Sequence, residues 1–207
     1  MKKSIKNQIL SRIYGRGRGW CFTPNDFAAD FNRNDINVAL YALTNENKIR
    51  RISIGLYDYP IYSDILEKYV APDIEQSALA IARKFSWRIQ PSGETALHYL
   101  GLSTQITSKH IYFSDGPNKK YNLLGQTLEF KHQVLKEASI LDANSILIIQ
   151  AIKAIGENNI TDEIKTRLKS KFSNSEWMKI KKNSSKATGW IYQIISNIVN
   201  ELSINND

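Results

Sequence analysis

Short amides and a tyrosine, spaced along one predicted helix, are the residues best suited to recognition chemistry near the N-terminus. Asn34, Asn37 and Tyr41 recur at intervals of three and four residues, which places them on one helical face. Asparagine side chains read base edges in the major groove of DNA, where a recognition helix can carry them. The pattern therefore predicts that these three side chains contact bases, with Val38 and Thr44 beside them.

Basic side chains surround this helix in the sequence and predict contacts with the phosphate backbone. Each phosphate contact needs a cation or an N–H donor. Residues 1–62 supply six suitable side chains, namely Arg16, Arg18, Arg33, Lys48, Arg50 and Arg51. An alternative stays open at this point: a module that makes only protein contacts and has a solvated basic face.

A second basic group lies near the C-terminus. Residues 165–186 hold all eight basic side chains of the segment from 159 to 207 and one acid, Glu176. Four lysines cluster beside Trp177, namely Lys179, Lys181, Lys182 and Lys186. Phosphate neutralisation with an aromatic for base stacking would make this a second nucleic-acid surface. A solvated helix face and loop is the alternative, and the sequence does not separate the two.

One constellation suggests catalysis. Asp115 is followed, 14 residues later, by Glu129 and then Lys131 on a predicted strand. Two carboxylates that hold Mg²⁺ and a lysine that orients water are what a metal-dependent nuclease uses. Asp115 also lies in an Asp-Gly-Pro turn, and alternating Glu and Lys are common on exposed strands. We therefore expect no catalytic residue, no metal and no cofactor, and keep the nuclease as an alternative.

Three further motifs are expected to be structural. The glycines of residues 15–19 follow a helix, whereas a dinucleotide-binding loop follows a strand, so we expect a basic turn near DNA. Cys21, between Trp20 and Phe22, is expected to be a buried small hydrophobe. The three histidines have no metal-ligand spacing and are expected to be structural or exposed.

The elements of residues 1–62 predict a winged helix-turn-helix. The apolar spacing predicts a helix from Ser4 to about Tyr14, a second helix that starts at Thr23-Pro24, and a third helix that Asn34 or Asp35 caps. A capping-box pattern from Thr23 to Asp26 supports the second start. Ile49 to Pro60 reads as a hairpin that turns at Gly55. Three short helices and a hairpin are the order of a winged helix.

Residues 63–207 read as a larger mixed α/β domain that ends in helices, so the chain as a whole is expected to be α+β. The predicted helices cover 73–85, 94–100, about 142–158, 161 to about 172, and 185–202, and the predicted strands lie near 89–91, 110–114, 121–124 and 127–132. No internal repeat is present.

Composition narrows the class of protein further. The 207 residues are 42 % hydrophobic and carry a net charge of +8, distributed as +5 over 1–62, zero over 63–158 and +3 over 159–207. These values exclude a disordered chain and make a polyanion a plausible partner. One cysteine and no long apolar run predict a cytoplasmic protein that does not contact a membrane.

Several motifs, in order, resemble those of AbiEi-like antitoxins from bacterial type IV toxin–antitoxin (abortive-infection) systems. The similarity covers about residues 8–135. Its motifs lie at 22–27, 38–43, 48–52, 55–60, 91–93, 96–105, 112–116 and 128–132.

The resemblance implies a winged-helix autorepressor that binds inverted repeats in its own promoter. It also implies that the C-terminal domain counters a nucleotidyltransferase toxin without a stable complex, in a phage-defence operon. Wing residues Arg50 and Arg51 and helix positions Asn37 and Tyr41 would then contact DNA. Binding to inverted repeats would place two protomers on one site.

Two departures from the family pattern bear on these implications. Family members often carry basic residues where this chain has Ala42 and Ile54. The toxin's own pattern, a Gly-Ser followed by paired aspartates, is missing from the sequence, so the chain is not the nucleotidyltransferase. A transcription factor that senses a ligand through its C-terminal domain is a further alternative.

Overall fold

The computed structural model describes residues 4–103, 108–134 and 142–204. It is a mixed α+β structure whose C-terminal part is helical, as predicted. The chain forms two compact units, which do not divide at residue 62. The first unit runs to Ile89 and includes Lys119–Glu129, and the second contains Gln90–Asn118 and the residues from Phe130 onward.

The first unit begins with two helices that pack on each other through their apolar faces. Asn32 caps the second helix by accepting a hydrogen bond from the Asp35 N–H, two residues before Asn34, the earlier of the two predicted caps. The elements of this unit are helix α1 (Ile5–Arg16), strand β1 (Cys21–Phe22), a 3₁₀ helix (Pro24–Phe27), helix α2 (Arg33–Asn45), strands β2 (Arg50–Ser53), β3 (Leu56–Asp58), β4 (Tyr62–Ser63) and β5 (Lys68–Tyr69), helix α3 (Ile74–Phe85) and strand β8 (Lys119–Leu123).

The predicted second helix is a single 3₁₀ turn, Pro24–Phe27. The expected capping contact is present, since the Asp26 carboxylate accepts a hydrogen bond of 2.8 Å from the Thr23 N–H. The segment does not continue as a helix, since residues 28–30 form a turn and Asn32 already caps α2. The helix-turn-helix order is thus reduced to α1, a 3₁₀ turn and α2.

A three-stranded sheet in the order β1-β3-β2 closes this unit. The hairpin β2–β3 has the predicted turn at Ile54-Gly55, where Gly55 has a φ of +69° that favours glycine. Strand β1 was not predicted; it pairs Cys21 with Asp58 and Phe22 with Tyr57. Two residues are too few for an alternating pattern, so only the pairing with β3 defines this strand.

Helix α3 belongs to the first unit because its side chains bond to β1 and to the 3₁₀ turn. Arg83 donates to the Asp26 carboxylate and to the Cys21 carbonyl, at 2.8 and 2.9 Å. Cys21 is buried beside Ser77, and this burial raises the pKa of its thiol to about 12. The prediction that Cys21 is a buried small hydrophobe is therefore confirmed.

The second unit surrounds an isoleucine-rich core. Its elements are strand β6 (Ile89–Pro91, which starts at the last residue of the first unit), helix α4 (Gly93–Tyr99), strand β7 (Lys109–Ser114), strand β9 (Gln126–His132, whose first residues belong to the first unit), helix α5 (Ala143–Ile155), a 3₁₀ helix (Glu157–Asn159), and helices α6 (Asp162–Lys169), α7 (Asn174–Ser184) and α8 (Gly189–Ile204). The four-stranded sheet has the order β6-β7-β9-β8. Among the described residues no helix is long and apolar enough to cross a membrane.

Helix α7 was not predicted, and it divides the basic C-terminal segment. Ser173 starts this helix with a capping box, in which the Glu176 carboxylate accepts from the Ser173 N–H at 2.8 Å. The preceding helix α6 ends at Lys169, three residues before its predicted end at Phe172. Lys179, Lys181 and Lys182 are therefore carried by a helix that contributes Trp177 and Ile180 to the core, whereas Lys186 follows the end of that helix.

His110 is a buried histidine whose titration is expected to make the second unit acid-sensitive. Its Nδ1 has no hydrogen-bond partner among the described atoms, and the ring of His98 lies 5.4 Å away. Burial lowers the pKa of His110, and the charge of His98 lowers it further. Between the unfolded value near 6.5 and the lowered folded pKa, the unfolded chain binds the extra proton, so acid favours unfolding.

We therefore expect the free energy of unfolding to fall below about pH 6.5, by up to about 1.4 kcal/mol per pH unit from this group. Urea unfolding at pH 7.5 and pH 5.0 measures the effect. In His110→Gln the difference between the two pH values should shrink, because the glutamine does not titrate. An unchanged difference in the variant would contradict the assignment.

Candidate nucleic-acid interface

Helix α2 presents the predicted recognition residues on a solvent-facing stripe. Asn34, Asn37 and Tyr41 are all exposed, and the Tyr41 side chain is 70 % accessible. Val38 lies between them and is 69 % accessible. The opposite face of the helix packs in the core of the unit, where it buries Ile36, Ala39, Leu40 and Leu43. The helix thus offers amides, a phenol and an apolar side chain together on one free face.

The two arginines of strand β2 have different environments. Arg50 points to Asp58, which is only 2 % exposed, and donates to both of its carboxylate oxygens. Its third nitrogen donates to the Val70 carbonyl at 2.9 Å. Burial raises the pKa of Asp58, and the hydrogen bonds from Arg50 oppose that shift. Arg50 therefore compensates a buried carboxylate, and its contact with phosphate stays a prediction.

Arg51 is exposed, and no described side chain pairs with it. It lies opposite Tyr57 in the register of the hairpin. Lys48, which precedes the strand, is also exposed. Both cations are therefore accessible to an anionic partner.

The arginines that follow α1 rest on aromatic rings. The guanidinium of Arg16 lies 5.7 Å from the Trp20 ring, and that of Arg18 lies 4.7 Å from the Tyr59 ring. Arg18 also donates to the Pro60 carbonyl at 2.8 Å. Cation–π contacts leave the charge partly available at the surface. These two residues form a group of their own near the end of β3, and the predicted contact of this turn with the DNA backbone stays a prediction.

Two lysines that the sequence analysis did not predict as site residues lie near Arg33, the first residue of α2. Asn25 links two of them, because its side chain accepts from Arg33 at 2.8 Å and donates to the backbone carbonyl of Lys84 at 3.2 Å. The Lys84 ammonium also lies beside the hairpin turn, 3.7 Å from the position of a Cβ on Gly55. Lys119 is the third member. We call Arg33, Lys84 and Lys119 the cationic cluster.

The predicted C-terminal lysines have different environments from one another. Lys179 forms an ion pair with Asp142, and Lys181 donates to the Asn200 side chain at 3.3 Å. Lys182 and Lys186 are exposed. Trp177 is fully buried and donates its indole N–H to the Lys169 carbonyl, so the expected stacking role for this tryptophan is wrong.

The residues of the nuclease hypothesis lie on a turn and a strand. Asp115 is exposed in the turn after β7, Glu129 is half-buried on β9, and Lys131 is exposed on the same strand. Within the described ranges, no group of three or more His, Cys, Asp or Glu residues could hold a metal ion. The nuclease hypothesis stays a prediction, which a nuclease assay of Glu129→Gln would test.

Comparison with known families places the chain in one whose function is undetermined. DUF6088, described as a family of unknown function, matches residues 8–180. Because this match covers most of the chain, the protein belongs to the DUF6088 family. No curated protein matches the sequence.

Proposed function

We propose that the first unit binds double-stranded DNA, with α2 in the major groove as the recognition helix of a winged helix-turn-helix. The observation that carries the proposal is the free face of α2. A helix that buries its apolar stripe and leaves Asn34, Asn37 and Tyr41 in solvent is suited to base contacts. Arg33 at its start and Arg51 on the hairpin are accessible for phosphates.

We further propose that the protein is an autorepressor and antitoxin of a type IV toxin–antitoxin operon, which defends against phage by countering a nucleotidyltransferase toxin. The motif resemblance supports this proposal, together with the net charge of +5 over residues 1–62. Recognition of inverted repeats by one helix per protomer requires two protomers on each operator. The expected partners are therefore promoter DNA, a second copy of the chain on that DNA, and a toxin that forms no stable complex.

A fluorescence-anisotropy titration on the chain's own upstream DNA tests the proposal, with random DNA of equal length alongside. We expect Asn37→Ala/Tyr41→Ala to lower affinity for upstream DNA by about 30-fold or more, because each of the two base contacts contributes about 1–3 kcal/mol. Affinity for random DNA should change by less than about 2-fold, because phosphate contacts dominate there.

Asn197→Ala/Tyr192→Ala is the matched control, since both residues are exposed on α8 and have the same chemistry. It should bind both DNAs like the wild type. Equal affinity of the wild type for upstream and random DNA would overturn the repressor proposal. No binding at low salt would favour the module that makes only protein contacts.

A further inference from the structure

We propose that the cationic cluster is a phosphate-binding site that anchors a nucleic-acid backbone between the start of α2 and the hairpin turn. Arg33, Lys84 and Lys119 come from α2, α3 and β8, so the site extends well beyond the segment predicted to bind DNA. That the phosphate belongs to DNA rests on the proposed function. The site itself is tested separately below.

Asn25, Phe85 and Trp87 position the cluster. Asn25 uses both ends of its amide to hold Arg33 against the last turn of α3, where Lys84 lies. The closeness of the Lys84 ammonium to Gly55 places that charge next to the hairpin turn. A backbone that follows α2 toward the hairpin would therefore pass the cluster.

Two stacked aromatic rings hold the lysines. Phe85 and Trp87 stack with centroids 4.7 Å apart. The Lys119 ammonium lies 4.4 Å from the Phe85 centroid, and the Lys84 ammonium lies 5.0 Å from the same ring. Cation–π contacts orient an ammonium group without neutralising it. Two positive charges are thus kept near one ring.

The cluster lacks a counter-charge within the part of the chain that the structure describes. None of its three side chains forms an ion pair with a described carboxylate, and Arg83 and Asn32 already engage the nearby Asp26 and Asp35. Burial lowers the pKa of Lys84, and the charges of Lys119 and Arg33 lower it further. Repulsion among three converging cations is relieved when an anion binds between them.

A phosphate is the anion that best fits this arrangement. It has several oxygens to accept from a guanidinium and two ammonium groups at once, and a nucleic-acid backbone presents such groups in series. The positive end of the α2 dipole adds to the attraction, because Arg33 is the first residue of that helix.

Lys84→Ala/Lys119→Ala tests the site by anisotropy with a random 30-base-pair duplex at several salt concentrations. Loss of two phosphate contacts should reduce the slope of log K against log salt by about 1.8 and the affinity at 50 mM salt by about 10-fold or more. Lys84→Arg/Lys119→Arg should retain most of the binding. Lys68→Ala/Lys153→Ala, which makes the same change in charge at two exposed lysines outside every predicted nucleic-acid surface, should alter the slope by less than about 0.5.

A second titration, with pyrophosphate and followed by amide NMR shifts, separates the site from the function. Shifts around Lys84 and Lys119 that vanish in the alanine variant support the phosphate site. This result supports the site even if the wild type does not bind DNA, an outcome that would contradict the proposed function. DNA binding that responds equally to both lysine pairs would overturn the site and leave the function standing. The site is also overturned if pyrophosphate shifts no amide of the cluster.

Discussion

Arg50→Ala is expected to lower the free energy of unfolding by about 3 kcal/mol, whereas Arg51→Ala should leave it within about 0.5 kcal/mol. Removing one partner of a buried ion pair costs about 3–5 kcal/mol, because the other charge stays buried without compensation. Asp58 is 2 % exposed and Arg50 is 23 % exposed, which places the cost at the low end of that range. Arg51 is exposed and makes no described ion pair. Its replacement should therefore change the free energy of unfolding as little as other surface substitutions do.

Urea unfolding at pH 7 measures both variants. An apolar replacement of the pair, Arg50→Met/Asp58→Leu, should recover much of the stability lost in Arg50→Ala, because no buried charge then remains. In DNA binding the order reverses: Arg51→Ala should weaken affinity and reduce the salt slope by about 0.9, as for one phosphate contact. A stable Arg50→Ala protein with weakened DNA binding would instead support the predicted phosphate contact of Arg50.

Trp177→Ala is expected to cost about 3–5 kcal/mol of folding free energy and to leave nucleic-acid affinity unchanged in the protein that remains folded. The Trp177 side chain is fully buried, packs edge-to-face on Phe172 and donates to the Lys169 carbonyl. Truncation of a buried tryptophan leaves a large cavity and an unpaired carbonyl.

Met178→Ala is the matched control, because Met178 follows directly in α7 and is 59 % exposed. Its free energy of unfolding should change by less than about 0.5 kcal/mol. Thermal or urea unfolding compares the two variants, and anisotropy below the melting transition compares their DNA affinity. A Trp177→Ala protein of wild-type stability but weakened binding would restore the predicted stacking surface.

Much of the fold could be predicted because long helices carry their own periodic signal. The apolar repeat of α2 predicted its buried face, and with it the free face that holds Asn37 and Tyr41. The helices α3, α5 and α8 were predicted from their apolar residues in the same way. These signals are local, since one turn of helix and its cap involve residues three or four positions apart.

Elements defined by distant partners were missed or altered. Strand β1 exists because it pairs with β3, more than thirty residues later. The predicted second helix stops at one 3₁₀ turn, since residues 28–30 form a turn and Asn32 already caps α2. The unit boundary moves past residue 62 because α3 bonds to β1 and the 3₁₀ turn.

The roles of charged and aromatic side chains also depend on contacts between residues that are distant in the sequence. From sequence alone, Arg50 and Arg51 are equivalent neighbours, and Trp177 among lysines resembles a stacking residue. The tertiary structure distinguishes these side chains, since Arg50 forms an ion pair with Asp58 and Trp177 packs in the hydrophobic core.

The sequence by itself determined the α+β class, the main helices, the buried cysteine and the face of α2, because each depends on periodicity or composition within a short stretch. Only the tertiary structure decided which cations are free and which meet. Arg33, Lys84 and Lys119 are separated by 51 and 35 residues along the chain. No local pattern encodes their meeting, because it depends on α3 packing against the 3₁₀ turn that precedes α2 and on β8 packing against β2.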